Sequence, residues 1–574
     1  MTFSPEFLLD QYFETAFSAP DGIKRLRELI LTLAMQGKLV PQDPNDQPAR
    51  ELLREIEAEK QRLIKEGNFK ESKLRLGSIE FKKVPFSIPN NWQWCYLDDI
   101  AVIARGGSPR PIKSYLTEDS SGWNWIKIGD TDKSSLFITQ TKEKIISSGL
   151  NKTRIVYPGD LLLSNSMSFG HPFISKIKGC IHDGWLLIRS PDNYVDKIFF
   201  CYLFLSGYTK KFFHDSAAGA VVQNLNADKV RALLVPLPPL AEQKRIVEKI
   251  ESLMTQCDEL EKRQQEREQK RILVHTSAVQ KLLNAPEEKT FDEAWQFVQQ
   301  NFGELYAVKE NVSELRKAIL QLAVMGKLVP QDPHDPPASE LLKEIEAEKQ
   351  RLIKEGKIKK QKPLPEITAD EIPYDLPDSW EWCILRQISL AIDYGTSQKT
   401  CNDSSKIPVY RMGNILNGRL IDINLKYIDP NIDDLPRLFL QKDDILFNRT
   451  NSYELVGKSA LYNGEDNIKT FASYLIRIRL EQKNVFPRFV NLVMNAPYFR
   501  KTQIEPEITQ QCGQANFNGT KLSETLIPLP PLSEQHRIVA KVDALMTLCD
   551  QLENQIDQQT TKQTQLLSAV MAGV

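Results

Sequence analysis

The chain has 574 residues, of which 41% are hydrophobic and 26% are charged, a composition typical of globular proteins and a length that requires several domains. It contains no apolar run near the roughly 20 residues of a membrane span, and its acidic N-terminus does not resemble a signal peptide. The net charge of −1 argues against a protein that clamps nucleic acid unaided. We expect a cytoplasmic protein without a membrane segment.

The chain repeats itself. Residues 25–67 recur at 314–356 with 33 of 43 positions identical. A second pair begins VPLPPLAEQKRIVEKI at Val235 and IPLPPLSEQHRIVAKV at Ile527. The segments between them, roughly 100–220 and 390–510, barely match. A repeated frame therefore carries two different inserts, and it predicts an internal pseudo-twofold arrangement.

Each copy of the frame begins with two predicted helices. Apolar residues at helical spacing indicate a helix over 23–36, which Gly37 ends and Pro41 prevents from resuming. Residues 48–66 combine strong helix formers with an apolar seam at Leu52, Ile56 and Leu63. The pattern is that of a surface helix that can pack on a long helix or on a partner subunit.

The inserts differ from the frame in composition. Short β-rich segments alternate with Gly, Pro, Asn and Ser, and a helical piece follows at 197–207 and 487–495. Residues 90–235 hold 17 Lys and Arg against 13 Asp and Glu, and residues 378–527 hold 18 against 17. The inserts are therefore predicted to be mildly basic mixed domains on an acidic frame.

A long helix is predicted after each insert. In the first, Ile246, Ile250, Leu253, Cys257 and Leu260 follow a near-heptad spacing, and the residues from Ile538 to Leu552 repeat it. We expect the two helices to form an antiparallel coiled coil. The paired cysteines Cys95 and Cys383, like Cys257 and Cys549, are expected to be buried thiols rather than disulfides or metal ligands.

The expected fold class is α+β, with two mixed α/β domains separated by long helices. The predicted domains are an N-terminal helical region (1–87), a first mixed α/β domain (88–240), a central long helix (241–283), a linker with a second helical region (284–375), a second mixed α/β domain (376–532) and a C-terminal long helix (533–574).

The sequence lacks the signatures of common catalytic sites. There is no GxxxxGK[ST] loop for ATP phosphates and no glycine-rich loop for S-adenosylmethionine. Neither the cysteines nor the histidines show metal-ligand spacing, and no nucleophile–base pattern is evident. We therefore expect no catalytic residue, no metal and no cofactor in this chain.

The repeated motifs resemble those of the specificity subunit of type I restriction-modification enzymes. PLPPLAEQKRIVEKIESLMTQCDELE and its second copy carry this resemblance, together with the entries IPNNWQWCYLDDI and LPDSWEWCILRQI. DDILFNRT and the exits NLNADKVRALLVPLPPL and NFNGTKLSETLIPLPPL also fit. The long N-terminal region is similar to the subfamily often called type IB. RGGSPRP at 105–111 resembles the first-domain loop, whereas the second domain has DYGTSQKT at 393–400 without a clear equivalent.

The resemblance implies a subunit that binds double-stranded DNA and catalyses nothing itself. Two methyltransferase subunits would use S-adenosylmethionine to methylate adenine N6, and two motor-nuclease subunits would use ATP and Mg²⁺ to translocate and cleave DNA. The mixed domains at 88–240 and 376–532 would be target-recognition domains, and each would bind one half of an asymmetric, bipartite site. The helices would set the spacer and dock the other subunits.

Arg, Lys, Asn and Gln on insert loops are the candidates for contacts to base edges. For each of them, a phosphate contact or a solvated loop residue is the competing interpretation. In the first domain the predicted DNA-binding residues are Arg105, Arg110, Lys113, Asn165, Ser166, His171 and Gln223. In the second domain they are Lys399, Arg411, Asn414, Asn448, Arg449, Asn451, Tyr453 and Gln514.

Two other functions compete with this hypothesis. The acidic helices and weakly basic inserts also suit a non-catalytic scaffold whose inserts bind proteins. A self-contained DNA methyltransferase-nuclease would require motifs that the sequence lacks, and S-adenosylmethionine binding by the isolated chain would support it.

Overall fold

The structure is a computed structural model, and it describes residues 17–66, 74, 76–80, 84–165, 170–191, 193–217, 225–285, 288–360, 363, 365–416, 418–511 and 514–572. The chain divides into two compact units. The N-terminal unit comprises residues 1–267 and 559–574, and the C-terminal unit comprises residues 268–558.

The N-terminal half of the chain runs from a helical pair through a strand-rich domain into a long helix. Its helices are α1 (Gly22–Met35), α2 (Ala49–Lys65), α3 (Leu97–Ile100), α4 (Lys197–Leu205), α5 (Gly207–Ala217), α6 (Ala227–Arg231) and α7 (Leu240–Leu283). Short 3-10 helices lie at Ile112–Ser114, Ile128–Asp130 and Ser147–Lys152. The strands are β1 (Gln93–Tyr96), β2 (Val102–Arg105), β3 (Leu116–Thr117), β4 (Trp123–Ile126), β5 (Phe137–Ile138), β6 (Glu143–Ile145), β7 (Arg154–Val156), β8 (Leu161–Ser164), β9 (Pro172–Ser175), β10 (Gly179–Ile181), β11 (Trp185–Arg189) and β12 (Leu234–Leu237).

The first recognition domain is built on two five-stranded sheets, ordered β3-β6-β4-β10-β7 and β2-β11-β8-β9-β5. Strand β8 is buried along its whole length because both of its faces are covered, and leucine occupies its first three positions. Leu162 packs in the cluster that joins the two sheets, together with Phe173 and Trp185. Leu161 and Leu163 point to the other face, into the core that contains the residues of α4. Alternation with period two thus places the second sheet in the middle of the domain.

The C-terminal half repeats this order of elements. Its helices are α8 (Glu288–Gln300), α9 (Phe302–Leu305), α10 (Lys309–Val324), α11 (Ala338–Lys354), α12 (Leu385–Ile388), α13 (Pro487–Asn495), α14 (Gly519–Ser523) and α15 (Leu532–Ala572). Short 3-10 helices lie at Ala369–Glu371, Met412–Asn414 and Glu505–Glu507, and a π-helix lies at Phe499–Ile504. The strands are β13 (Glu381–Ile384), β14 (Ser389–Tyr394), β15 (Ile407–Tyr410), β16 (Ile415–Leu416), β17 (Arg419–Leu420), β18 (Lys426–Ile428), β19 (Ile445–Asn448), β20 (Thr450–Asn451), β21 (Ser459–Leu461), β22 (Thr470–Phe471), β23 (Leu475–Leu480), β24 (Thr509–Gln511), β25 (Gln514–Asn516) and β26 (Leu526–Leu529).

The second recognition domain has a six-stranded sheet, β14-β23-β19-β21-β17-β16, and two three-stranded sheets, β18-β15-β22 and β20-β25-β24. Successive side chains of its central strand β19 point to opposite faces of the sheet, as those of β8 do. Ile445 and Phe447 pack in the core shared with α13, whereas Leu446 packs with Phe471 on the opposite face. In each unit, the strand before the domain pairs antiparallel with the strand after it, β1 with β12 and β13 with β26. The entry and exit of each domain are therefore joined side by side.

A glycine turn after the first helix brings the frame against the domain entry. Gly37 has φ +69°, and a Cβ there would lie 2.5 Å from the Cγ of Pro89. Gly326 has the same φ and the same distance to Pro377. A residue with a side chain would meet both a strained backbone and a ring, so glycine is required at both positions.

The glutamate and glutamine that recur in both copies of the exit motif are buried at the start of each long helix. Gln42 donates to Glu242 at 2.6 Å, and Arg245 pairs with Asp46 at 2.5 Å. In the second copy, Glu534 accepts bonds from Gln331 at 2.7 Å and from the Trp380 indole at 3.1 Å, and Arg537 pairs with Asp335 at 2.7 Å. Burial raises the pKa of the Glu534 carboxyl, and these hydrogen bonds act in the opposite direction. In each half of the chain, the segment after the glycine turn of the frame therefore binds the start of the long helix.

The neighbouring glutamine joins the helix to the recognition domain. Gln535 accepts the backbone N–H of Phe486 at 2.7 Å and donates to the carbonyl of Pro530 at 2.9 Å. Gln243 accepts from the backbone N–H of Asp196 at 2.8 Å and donates to Pro238 at 3.0 Å. Each side chain thus satisfies two backbone groups from different segments.

The first turns of each long helix pack on the first helix of the frame. Ile246, Ile250 and Cys257 share one core with Leu26 and Ile30 of α1. Arg27 of α1 bonds Asp258 at 2.7 Å and Glu261 at 2.8 Å, and Arg316 of α10 makes the equivalent pairs with Asp550 and Glu553. Most apolar residues of the near-heptad pattern therefore pack into the core of the unit in which the helix begins, whereas Leu260 is exposed. The antiparallel pairing of α7 with α15 stays a prediction.

Both long helices begin in one unit and end in the other. Ala278 and Leu282 of α7 belong to the core of the C-terminal unit, and Leu567 and Val570 of α15 belong to the core of the N-terminal unit. The predicted burial of the paired cysteines is confirmed at all four positions. Among the described helices, none has the length and apolarity to cross a bilayer.

Replacement of Gln535 by leucine should destabilise the protein, because it leaves the Phe486 N–H and the Pro530 carbonyl buried without a partner. At about 1–3 kcal/mol for each of the two groups, we expect a loss of about 2–6 kcal/mol in the free energy of unfolding. Urea titration of the full chain measures this loss, and hydrogen–deuterium exchange should rise at the Phe486 amide. Gln350→Leu, on an exposed face of α11, is the matched control. Equal effects of both variants would contradict the assignment.

Candidate nucleic-acid interface

In the first recognition domain, four strands of the second sheet begin or end at one edge. Arg105 at the end of β2 lies opposite Leu186, and Ser164 at the end of β8 lies opposite Trp185. Pro172, at the start of β9, pairs with Leu163. The connections at these strand ends therefore bring together Arg105, Asn165, His171 and Asp183. We call this end of the sheet, where the strands begin or end, the first edge.

The second recognition domain has a corresponding second edge. Tyr394 at the end of β14 lies opposite Ile476, Asn448 at the end of β19 lies opposite Leu475, and Ser459 begins β21 opposite Phe447. The loops at this edge carry Arg449, and β20 follows with Asn451. Three of the predicted DNA-binding residues therefore lie within four positions of one another at this edge.

The two loops that the sequence does not relate are equivalent in their backbone hydrogen bonds. Gly106 donates to Trp185 at 2.9 Å and Gly107 to Ile181 at 3.2 Å. Gly395 donates to Leu475 at 3.2 Å and Thr396 to Phe471 at 2.9 Å. The expectation that 393–400 has no equivalent of the first-domain loop is therefore corrected.

Steric crowding explains why both loops carry a glycine at this position. A Cβ at Gly106 would lie 2.1 Å from the carbonyl oxygen of His182, and a Cβ at Gly395 would lie 2.3 Å from that of Ala472. Both are backbone atoms, which cannot move aside cheaply. The loops pass so close to the neighbouring strand that only glycine fits, while the residues beside it are free to differ.

Asn165 and Arg449 occupy the same place in the two domains. The N–H of Asn165 donates to Gly184 at 2.9 Å and its carbonyl accepts from Leu225 at 3.1 Å. The N–H of Arg449 donates to Tyr474 at 3.1 Å and its carbonyl accepts from Phe517 at 2.8 Å. One backbone position thus carries an amide in one domain and a guanidinium in the other.

The side chain of Asn165 supports the edge rather than facing solvent. It is 1% exposed, and its amide donates to the carbonyl of Asp183 at 2.8 Å. Asn414 is likewise buried, and it accepts from the Arg411 N–H and donates to the carbonyls of Ile421 and Ile423. Asn448 is also buried. The amides of Asn165 and Asn414 hold loops in place, and their contact to a base would require the loops to rearrange, whereas the buried Oδ1 of Asn448 has no hydrogen-bond partner among the described residues.

Arg449 is a half-buried cation held in one orientation. Its guanidinium carbon lies 4.9 Å from the ring centre of Tyr394, and Nη1 donates to the carbonyl of Ser473 at 3.2 Å. Stacking on an aromatic face and a hydrogen bond together restrict the rotamers of an arginine. Arg449 is therefore prepared to offer a planar donor edge at low entropic cost.

Tyr453 and Gln514 lie on exposed parts of the second domain. Gln514 begins β25, whose Ala515 pairs with Asn451 of β20. Arg500, which sequence reasoning missed, lies with its guanidinium carbon 5.5 Å from the Tyr453 ring centre and donates to the Tyr453 carbonyl at 2.7 Å. It follows the helix α13, far from the loop motifs in sequence, and no local pattern signals it.

The remaining predicted residues lie apart from these clusters or outside the described residues. Lys113 and Lys399 are exposed, and Arg411 is half-buried beside its 3-10 helix. Ser166 and Gln223 lie outside the described residues. The DNA contacts of Lys113, Lys399 and Arg411 stay predictions.

His171 borders a cleft beside α5 that is lined by Lys210, Lys211 and His214. Burial, together with the positive charges of Lys133 and Lys210, lowers the pKa of His171. The imidazole is therefore neutral at physiological pH and can donate or accept one hydrogen bond. The lysines supply the positive charge of this surface.

Asp183 is the second important residue that sequence reasoning missed. Its carbonyl accepts from Arg105 Nε at 3.2 Å as well as from Asn165, and its carboxylate accepts from the Ser108 hydroxyl at 2.7 Å. Arg110 Nη2 lies 3.6 Å from Oδ2. The bond from Ser108 is the main cause that lowers the pKa of Asp183. Four loop residues therefore converge on one acidic position.

The first edge offers guanidinium, carboxylate and imidazole groups with lysines beside it, and the second offers guanidinium, amide and phenol groups, all held by a sheet. Such groups match the donor and acceptor patterns of base edges in the major groove of DNA. Across the ranges that the structure describes, no group of His, Cys, Asp and Glu is arranged to hold a metal ion. The arrangement is suited to recognition.

Comparison with known proteins agrees with this arrangement. The model of the type I restriction modification DNA specificity domain matches residues 89–269 and 381–562. The EcoAI specificity subunit of Escherichia coli is 34% identical, with 95% of this chain and 92% of the relative covered. The EcoEI specificity subunit, also from Escherichia coli, is 32% identical over the same shares. The crystal structure of the HsdS subunit from Thermoanaerobacter tengcongensis aligns with 16% identity and a TM-score of 0.45, covering 86% of this chain and 99% of that one.

The family match includes both recognition domains and more than half of the chain. The named relatives are specificity subunits, which confirms the prediction of a recognition subunit rather than an enzyme. The chain belongs to the family of DNA specificity subunits of type I restriction-modification enzymes.

Proposed function

We propose that each recognition domain binds one half of an asymmetric, bipartite site in double-stranded DNA through its edge. The observation that supports this most strongly is the equivalence of the two edges. The same backbone hydrogen bonds position residues 105–107 and 394–396, and also residues 165 and 449, whereas the side chains differ. Identical geometry with different donors and acceptors suits two readers of different sequences.

We further propose two methyltransferase subunits and two motor-nuclease subunits as partners. The repeated frame offers two nearly identical exposed surfaces, on α2 and on α11. Arg62 pairs with Glu59 and Glu66 on the first, and Arg351 pairs with Glu348 and Glu355 on the second. Two equal docking surfaces on one chain favour two copies of a partner.

The proposed partners hold the cofactors. S-adenosylmethionine would serve methylation of adenine N6, and ATP with Mg²⁺ would serve translocation and cleavage, all in the other subunits. The complex would act in the cytoplasm, and the extended N-terminal helical region supports the type IB subfamily. The scaffold hypothesis has no separate observation in its favour once the family is known.

Sequencing of N6-methyladenine tests the proposal directly. In cells that express this chain with its methyltransferase partner, we expect a split, asymmetric motif that disappears when the chain is deleted. Exchange of residues 95–232 for the insert of another family member should then change one half-site only. Exchange of residues 383–524, the corresponding segment of the second domain, should change the other half. A change in both halves by either exchange would contradict modular recognition.

Arg449→Ala should weaken binding of the assembled complex to its cognate site by about 1–3 kcal/mol, the range for a bidentate base contact, with a smaller loss on random DNA. Titration of both duplexes at one salt concentration measures the difference. Arg419→Ala is the matched control, because the exposed Arg419 pairs with Leu461 at the opposite end of the sheet. Equal losses on both duplexes would make Arg449 a phosphate contact.

The long helices are proposed to set the spacer between the half-sites. Insertion of seven residues into the polar part of each, near 261–270 and 553–563, adds about 10 Å of helix and preserves the apolar face. At about 3.4 Å per base pair, the spacer should lengthen by at most about three base pairs, with both half-sites unchanged. Methylation mapping reads this out, and an altered half-site would be inconsistent with a purely spacing role.

A further inference from the structure

Asp183 carries a negative charge where the first edge is otherwise positive. Arg105 ends strand β2 and Arg110 lies on the loop that follows it, and both are exposed. The Asp183 side chain is 42% exposed, so its carboxylate is accessible from solvent. A carboxylate that faces DNA is repelled by phosphates, whose oxygens are also negatively charged acceptors.

The carboxylate of Asp183 has capacity for another hydrogen bond. Oδ1 accepts from the Ser108 hydroxyl, while Arg110 Nη2 lies 3.6 Å from Oδ2, outside hydrogen-bonding distance. The Arg110 side chain is 81% exposed, and surface ion pairs of this kind contribute little. A carboxylate accepts about four hydrogen bonds, so a donor from a ligand can approach without breaking the bond to Ser108.

The fold does not require a carboxylate at this position. In the first domain, Asn165 donates to the main-chain carbonyl of Asp183. In the second domain, Arg449 donates to the main-chain carbonyl of Ser473, which is the corresponding residue. The shared framework uses the backbone of this residue, and its side chain is therefore available for a different purpose in each domain.

We propose that Asp183 is a specificity-determining residue whose carboxylate accepts a hydrogen bond from the exocyclic amino group of cytosine or adenine in one half-site. This inference rests on the proposed DNA recognition by the first edge. In the major groove, guanine offers N7 and O6 and thymine offers O4, all of which are acceptors. Cytosine N4 and adenine N6 are the amino donors, so a carboxylate favours these two bases and rejects the others.

The test uses base analogues on the intact complex. Once the motif is known, each cytosine of the first-domain half-site is replaced in turn by 2-pyrimidinone and each adenine by purine, both of which lack the amino group. We expect roughly tenfold weaker binding at one position. The position at which an analogue weakens binding identifies the base that Asp183 contacts. The Asp183→Asn complex should bind the unmodified site more weakly than the wild-type complex by a similar factor. The analogue at the sensitive position should weaken binding of this variant no further.

Two outcomes would overturn the inference. One is a half-site in which no analogue weakens binding to the wild-type complex, a result that needs no variant to fold. The other is an analogue that weakens binding of the Asp183→Asn complex as much as it weakens binding of the wild-type complex. Glu259→Gln removes the same charge from an exposed position of α7 and should change nothing at the half-site. If the wild-type complex shows no sequence preference at all, the proposed function fails instead.

Discussion

The buried glutamate–glutamine pair at the start of each long helix is the interaction on which the rest of the structure depends. Glu534 and Gln535 connect the glycine turn of the frame, the entry tryptophan, the exit strand and the recognition domain. Because these polar groups are buried, each lost partner leaves a costly unsatisfied group, so the junction has one arrangement. Glu242 and Gln243 repeat the junction, with Gln42, Asp196 and Pro238 as partners.

A stable junction permits variation at the edges. Main-chain bonds fix the loops in both domains, and the side chains at corresponding positions differ, as Asn165 differs from Arg449 and Asp183 from Ser473. Some of these side chains, such as Asn165, support the loop, whereas others, such as the stacked Arg449, are held so that they can contact a ligand. Recognition residues on loops of a rigid scaffold can change without loss of the fold.

The charge count of the domains overstates the positive charge available to DNA. Arg189 pairs with Asp160, Arg479 with Asp444, and Arg477, which is almost fully buried, with Asp393. These arginines hold strands and loops together and cannot also contact phosphates. In the proposed function, positive charge from the partner subunits would supplement that of this chain, which agrees with its near-zero net charge.

The sequence by itself determined the repeat, the helices of the frame, the glycine turns, the buried cysteines and the family, because identity between copies and helical periodicity are local signals. Only the tertiary structure decided which loop residues matter. Arg105 and Asp183 are 78 positions apart, and Arg316 and Asp550 are 234 apart. The equivalence of 105–107 with 394–396 rests on hydrogen bonds to distant strands rather than on shared side chains. The burial of Asn165, Asn414 and Asn448 follows from packing across the sheet, which residue type alone does not reveal.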